Sequence, residues 1–185
     1  MKKILLIVCA AIVWTTSQAQ WQPVPVSGSS ADVSSMFCFG DDLMVGTLGD
    51  GIHKTTDNGD TWENVTGNMG NLFVNDIRGG GAPTVIWAAT QGGAFYTTDH
   101  QNYQNCSNGL TQNDVRHFFF GDASSQNAEW MIGTNGGGVF LSAELTGPWS
   151  PSNTGLSGDA LIINDGAGYT DDELHYAVIG TDGGV

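Results

Sequence analysis

A repeat of about forty residues constrains the fold of this chain more than any other feature. Residues 55–62 read TTDNGDTW, and weaker copies of this octet end at Tyr103 and Trp149, with an isolated Trp21 in front. These four aromatic positions, Trp62 included, are separated by 41, 41 and 46 residues. A constant period of this length is typical of repeat architectures, so the repeat unit has to be defined before any single residue is interpreted.

A second landmark follows nearly the same period. A threonine with two glycines a few residues after it recurs at Thr47, Thr90, Thr134 and Thr181. Between the landmarks, short apolar or alternating runs are separated by Gly, Asn and Asp, which predicts short strands and tight turns. Three repeats hold four runs each: 33–39, 43–47, 52–56, 61–66; 72–78, 84–90, 94–98, 103–107; 115–120, 129–134, 139–142, 149–152. Four strands per repeat predict an all-β chain of propeller blades.

The two ends of the chain suggest an incomplete set of blades. Trp21 makes residues 21–26 a predicted fourth strand without its first three, while 160–164 and 174–181 are predicted first and second strands of another blade. The count is about three and a half blades. We therefore expect residues 20–185 to form the N-terminal blades of a larger propeller.

Residues 1–19 have the pattern of a secretory signal peptide. Lys2 and Lys3 precede an apolar run over 4–14, and residues 17–19 form a small-residue cleavage site near Ala19. The run is shorter than the ~18 residues that a membrane-spanning helix needs. The sequence thus predicts a protein that is secreted or displayed at the cell surface, without membrane insertion.

Charge and cysteine content narrow the partners. After residue 19, only Lys54, Arg78 and Arg116 oppose all 19 acidic residues. This argues against nucleic acid and anionic membranes, which need clustered cations. Export would permit a disulfide between Cys38 and Cys106, but the apolar surroundings of Cys38 favour a buried free thiol there.

The octet resembles the Asp-box, or bacterial neuraminidase repeat, found in β-propellers such as sialidases and sortilin-like receptors. The full copy matches at Thr55, Asp57, Gly59, Thr61 and Trp62, and the degenerate copies match at Thr97, Asp99 and Tyr103, and at Ser142 and Trp149. The resemblance implies a propeller of four-stranded antiparallel blades, each with an Asp-box hairpin between its third and fourth strands.

The chemistry of the octet indicates a structural role for it. The hydroxyl and carboxylate of Thr55 and Asp57 can bond amides across a turn, Gly59 allows positive φ, and Trp62 can cover the hairpin. Calcium binding by Asp57 and Asp60 is the alternative, although the spacing lacks an EF-hand pattern.

The predicted functional surface lies at the other end of the strands. Sialidase-type propellers, which this chain resembles, bind ligands on the face opposite their boxes. That face would carry the glycine-rich second-to-third-strand turns and the starts of the inner strands. The candidate binding residues are Asp50, Asn135 and Asp182 in the turns, and Asp32, Asp76, Asp114 and Asp159 at the strand starts.

The four strand-start aspartates look equivalent in sequence, because residues 75–78 and 113–116 are near-copies. A ring of carboxylates there would bind a cation or sugar hydroxyls. The simpler interpretation, which we favour, is that each Asp accepts amide hydrogen bonds where a strand begins. Arg78 and Arg116 are expected to pair with the Asp two residues before each.

These features favour a secreted, non-catalytic binding or scaffold module for a polysaccharide or protein. A sialidase clamps its substrate with three arginines, and only two remain here after the leader. No catalytic residue, metal ligand or cofactor is predicted. The alternative is a sialidase- or endoglucanase-like glycoside hydrolase with part of its site in blades beyond residue 185.

Overall fold

The computed structural model describes residues 23–80, 84–120, 130–170 and 175–185. The predicted signal peptide lies outside these ranges. The three complete repeats each form a four-stranded antiparallel sheet, as predicted. Their strands are β1 (Val33–Phe39), β2 (Asp42–Thr47), β3 (Ile52–Thr55), β4 (Glu63–Asn64); β5 (Val74–Gly80), β6 (Val85–Thr90), β7 (Gly93–Thr97), β8 (Gln104–Asn105); β9 (Val115–Phe120), β10 (Trp130–Thr134), β11 (Val139–Ser142) and β12 (Ser150–Pro151).

The fourth sheet has two strands in the described residues, β13 (Ile163–Thr170) and β14 (His175–Thr181). The prediction that its first strand covers 160–164 is wrong, because residues Gly158–Leu161 form a one-turn 3-10 helix. Two turn bonds, from the amides of Ala160 and Ile162, delay the strand until Ile163. Residues 23–26 carry no strand, and 21–22 lie outside the described ranges.

Every inner strand begins in the same register and then bulges. A branched aliphatic residue pairs with the landmark threonine, and the ladder is irregular directly after it: Val33 with Thr47, Val74 with Thr90, Val115 with Thr134, and Ile163 with Thr181. The extra residues are Ser34, Asn75, Arg116 and Asn164. A bulge leaves one residue unpaired and changes the direction of the side chains where it interrupts the ladder. The side chains of these four residues therefore do not follow the regular alternation of the strand.

The sheets pack against one another in chain order. One apolar cluster joins the first and second sheets around Met44 and Ile77, a second joins the next pair around Trp87 and Phe118, and a third surrounds Ile163. Small residues make this packing close. A Cβ at Gly46, for example, would collide with Val74 of the next sheet.

Cys38 and Cys106 are both free, and the prediction of a buried Cys38 is wrong: Cys38 is exposed and Cys106 is buried. Cys38 points to the same side of β1 as Met36, away from the second sheet, whereas Phe37 and Phe39 pack towards that sheet. Within the described ranges, no helix is long and apolar enough to cross a bilayer.

Candidate functional site

The landmark threonines close the turns between the second and third strands. The buried hydroxyl of Thr47 donates to the carbonyl of Gly51 (2.9 Å) and accepts the amide of Asp50 (3.1 Å). The hydroxyls of Thr90, Thr134 and Thr181 donate to the equivalent carbonyls. These residues are structural, and they hold the glycine-rich turns beside the inner strands.

The hairpin of the octet, after β3, has the hydrogen bonds that its residue types predict. The carboxylate of Asp57 accepts from the Thr55 hydroxyl (2.7 Å) and from the amide and hydroxyl of Thr61 (2.9 and 2.6 Å). The Thr55 hydroxyl accepts the amide of Gly59, whose φ is +94°. Trp62 is half-buried beside Gly59.

The degenerate copies keep the turn with other residues. Asp99 accepts from Thr97, from the Gln101 amide, and from both the amide and side chain of Asn102, which takes the place of the missing threonine. In the third copy, Ser142 accepts the amide of Glu144. Tyr103 is buried at the junction of the first and second sheets, and Trp149 at the junction of the second and third.

At the other end of the strands, all four inner strands line one groove of about 500 Å³. Its walls are polar with two apolar edges, and they contain Ser34, Ser35, Met36, Leu48, Asn75, Asp76, Arg78, Arg116, His117, Asn164 and Asp165. We call this the central groove. The set includes the extra residue of every bulge and the residue that follows it, so the same two positions from each sheet converge here.

The ladders correct the expected alignment of the aspartates. Because Val74 and Val115 are equivalent, Asp76 corresponds to His117 and not to Asp114. Asp32 and Asp114 are equivalent, since their carbonyls accept the amides of Leu48 and Asn135. Asp159 lies in the 3-10 helix, before the position equivalent to Asp32. The four aspartates therefore do not form one ring.

Within the groove, Asp76 is the centre of a charged network. Its Oδ2 lies 3.0 Å from Arg78 Nε and 3.0 Å from His117 Nδ1, and it accepts the amide of Phe118 at 3.3 Å. His117 Nε2 lies 2.8 Å from Arg78 Nη2 and 2.7 Å from Asp165 Oδ1. The predicted pair of Asp76 with Arg78 is thus confirmed, and it extends into the next two sheets.

Electrostatics keep Asp76 ionised in spite of its burial. Burial by itself raises the pKa of a carboxyl group, but the hydrogen bond and charge of His117, together with Arg78, outweigh it and lower the pKa of Asp76. Because these neighbours compensate its negative charge, the carboxylate of Asp76 stays ionised in the groove wall.

The other predicted ion pair, Asp114 with Arg116, is wrong. Asp114 instead accepts from the side-chain amides of Asn75 (3.0 Å) and Asn135 (2.7 Å). Arg116 lines the central groove and makes no hydrogen bond or ion pair to any described residue. Its half-buried guanidinium is left to meet a ligand or solvent.

The remaining candidates lie near the groove without entering it. Asp50 accepts from the Ser29 hydroxyl (2.7 Å), the main cause of its lowered pKa. Asp182 accepts from Asn164 at 2.6 Å. The side chains of Asp32 and Asp159 are exposed. No cluster of three metal-ligating side chains occurs in the part of the chain that is described.

Sequence reasoning missed His117, Asp165, Asn164 and the serines of β1. They can be located from the aliphatic residue that starts each inner strand opposite a landmark threonine. The two residues after that aliphatic residue enter the groove. That rule needs the ladder register, because the near-copies 75–78 and 113–116 suggest a false alignment.

No protein-family model matches this sequence, and no curated protein sequence matches it. Among solved structures, the computationally designed Ika4 protein is similar with a TM-score of 0.59 at 14% identity, covering 90% of this chain and 96% of its own. The designed Ika8 protein has a TM-score of 0.59 at 14% identity, over 86% of this chain and 46% of Ika8. At 15% identity and a TM-score of 0.47, the extracellular domain of BT4673 from B. thetaiotaomicron matches 82% of this chain and 26% of its own. The similarity to the two designed proteins concerns the fold alone.

Proposed function

We propose that this chain is part of a secreted Asp-box β-propeller that binds a polysaccharide in the central groove without altering it chemically. One observation carries the proposal. The bulge positions of all four inner strands converge on a single polar groove, at the end of the strands opposite the Asp-box hairpins. Concave sites with a few convergent polar groups are the usual places for ligands.

Two open sheet faces support the propeller assignment. Met36 of β1 is 69% exposed, although its equivalents Ile77 and Phe118 are 1% and 2% exposed against a preceding sheet. Val178 of β14 is 61% exposed, while the equivalent Trp87 is 3% exposed against a following sheet. Both outer faces are therefore built like the inner junctions, and further blades would cover them.

The chemistry of the groove favours sugar hydroxyls as ligands. Arg116 brings an unpaired guanidinium as the donor, while Asn75 and Asn164 bring side-chain carbonyl oxygens and Ser34 a hydroxyl oxygen as acceptors. The side-chain nitrogens of both asparagines already donate to neighbouring aspartates, and the serine hydroxyl donates to backbone carbonyls. Amides, hydroxyls and guanidinium groups supply the donors and acceptors that a polyol needs. A protein ligand is the alternative occupant of the same groove.

Glycoside hydrolysis is the weaker candidate. Asp76 is the most buried carboxylate of the groove, but Arg78 and His117 neutralise it and its pKa is lowered. A catalytic general acid in a glycosidase needs a raised pKa, so Asp76 has the wrong environment for that role.

Binding to a polysaccharide array, followed by calorimetry with the best ligand, tests the proposal. We expect Arg116→Ala to weaken binding about tenfold or more, since lost hydrogen bonds to a charged group cost ~1.5–3 kcal/mol. Lys54→Ala is the matched control, because Lys54 pairs with Asp42 (3.8 Å) on the first sheet and does not line the groove.

Equal affinities of the wild type and Arg116→Ala would contradict binding in the central groove. No polysaccharide binding, together with capture of a protein ligand that Arg116→Ala abolishes, would assign the groove to protein recognition instead.

A further inference from the structure

One nitrogen in the central groove has two neighbours with opposite requirements. His117 Nε2 lies 2.8 Å from Arg78 Nη2 and 2.7 Å from Asp165 Oδ1. A guanidinium only donates hydrogen bonds, and a carboxylate only accepts them. Unprotonated Nε2 can accept from Arg78, and protonated Nε2 can donate to Asp165. No single protonation state satisfies both contacts.

The other ring nitrogen is committed. His117 Nδ1 lies 3.0 Å from Asp76 Oδ2, and that carboxylate is itself held by Arg78 Nε and the Phe118 amide. An ionised carboxylate at Nδ1 places a proton there in both charge states of the ring. The gain or loss of a proton therefore falls on Nε2, the atom shared by Arg78 and Asp165.

We propose that His117 is a pH-operated switch in the central groove, which selects Arg78 on β5 when neutral and Asp165 on β13 when protonated. The inference rests on the proposed function, since it regulates the groove to which ligand binding is assigned. In the acid state, His117 links the third and fourth sheets and Arg78 keeps its bond to Asp76 through Nε. The Nη2 of Arg78 then turns to the groove, which gains one positive charge.

Charged groups of both signs surround the His117 ring. The charged groups that face His117 among the described residues are Asp76 and Arg78 from β5 and Asp165 from β13, while Arg116 adjoins it on β9. The Asp165 side chain is 74% exposed, so water replaces its contact at little cost.

The tautomer of His117 in the purified chain tests the switch without any ligand. We expect nitrogen-15 NMR near pH 8 to show Nδ1 protonated and Nε2 bare. Free imidazoles favour the opposite tautomer, so a solvated histidine would not give this result. A protonated Nε2 at this pH would overturn the proposal, because neutral His117 could not then accept from Arg78.

The titration of the His117 ring between pH 5 and 8 provides the second measurement. Asp165→Asn should lower the midpoint, because it removes a negative charge from beside the protonated ring while keeping a side-chain oxygen there. Asp159→Asn is the matched control, an exposed aspartate with no side-chain hydrogen bond to the described residues. Equal midpoints in the wild type and Asp165→Asn would overturn the switch.

These outcomes separate the two proposals. If the tautomer and midpoints follow the expectation while no ligand binds the groove, the proposed function fails and the switch stands. If a ligand binds the groove with an affinity that is constant from pH 5 to 8, His117 does not regulate that binding and the switch is overturned.

Discussion

At the scale of single residues, hydrogen bonding decides how the hairpin of the octet is held. The Asp57 carboxylate accepts three hydrogen bonds from Thr55 and Thr61 while remaining near the surface. The Thr61 hydroxyl is the main cause that lowers the pKa of Asp57 from 3.8 to about 2. The hairpin is therefore built around an ionised carboxylate, which accepts bonds that a neutral acid accepts poorly.

We expect Asp57→Ala to lower the thermal midpoint of unfolding at pH 7. Since the folded-state pKa is depressed, the contribution of the carboxylate is present above about pH 4 and is lost as the pH falls towards 2. The gap between the wild type and Asp57→Ala should then narrow between pH 5 and 2, as measured by circular dichroism. Asp60→Ala, at an exposed position of the same turn, should change neither; a constant gap would contradict this account.

Tyr103, the aromatic residue of the second copy, has a buried polar atom without a partner. It is 3% exposed, and its hydroxyl has no hydrogen-bond partner. A buried polar group without a partner is destabilising, so Tyr103→Phe should raise the free energy of unfolding by about 1 kcal/mol. Urea denaturation measures this, and Tyr96→Phe, which loses the exposed bond to Gln104, is the comparison. A destabilised Tyr103→Phe would mean that the hydroxyl does have a partner.

At the scale of elements, the sheets meet through backbone as well as side chains. The Trp149 amide donates to the carbonyl of Asn108, and its Nε1 donates to the carbonyl of Cys106 at 2.7 Å. Both contacts join the hairpin of the third octet copy to the turn after β8. The hairpin therefore sets the spacing between the second and third sheets.

Substitutions at two glycines distinguish the effect of the contact with Trp149 from the effect of backbone conformation. Gly109 and Gly155 have φ values of +93° and +91°, but a Cβ on Gly109 would strike the Trp149 carbonyl, whereas space is open at Gly155. Gly155→Ala should cost about 1 kcal/mol for its left-handed backbone alone. Gly109→Ala should cost clearly more in urea denaturation, because the sheets must part. Equal losses would show that the junction can adjust.

At the scale of the whole molecule, the charged network of the central groove connects three sheets. Asp76 belongs to the second sheet, His117 to the third and Asp165 to the fourth. Consecutive sheets also meet through apolar clusters, backbone contacts and side-chain hydrogen bonds such as that of Asn75 with Asp114. The groove is therefore a structural joint as well as the candidate binding site.

Asp76→Asn should destabilise the chain at pH 7 by about 2 kcal/mol, because it leaves His117 and Arg78 without their counter-ion, although Arg78 is partly exposed. The depressed pKa of Asp76 sets the sign of the pH effect. Its stabilisation is present above the unfolded value near ~3.9 and is lost as the pH falls through the lower folded value. Asp159→Asn is the control, and chemical denaturation at pH 7 and pH 3 is the measurement. A wild type and Asp76→Asn that differ equally at both values would contradict this role.

Local patterns were sufficient to predict most of the strands. The run 33–39 and the runs ending at Thr90, Thr134 and Ser142 agree with the observed strands to within one residue. The fourth strands were predicted too long, since 61–66 pairs only over Glu63–Asn64. Beyond Asn64, the Ile52 amide donates to the side-chain hydroxyl of Thr66 (2.8 Å) and not to a backbone carbonyl. Propensity cannot detect such a tertiary bond.

The sequence alone determined that this chain is a repeat of short antiparallel strands, with Asp57 at the centre of a structural hairpin, because these properties depend on residues close together in the chain. The tertiary structure alone decided which residues share the central groove. One bulge per inner strand shifts the register, so Asp76 lies beside His117 instead of matching Asp114. Such a shift comes from pairing with the neighbouring strand, which no local pattern records.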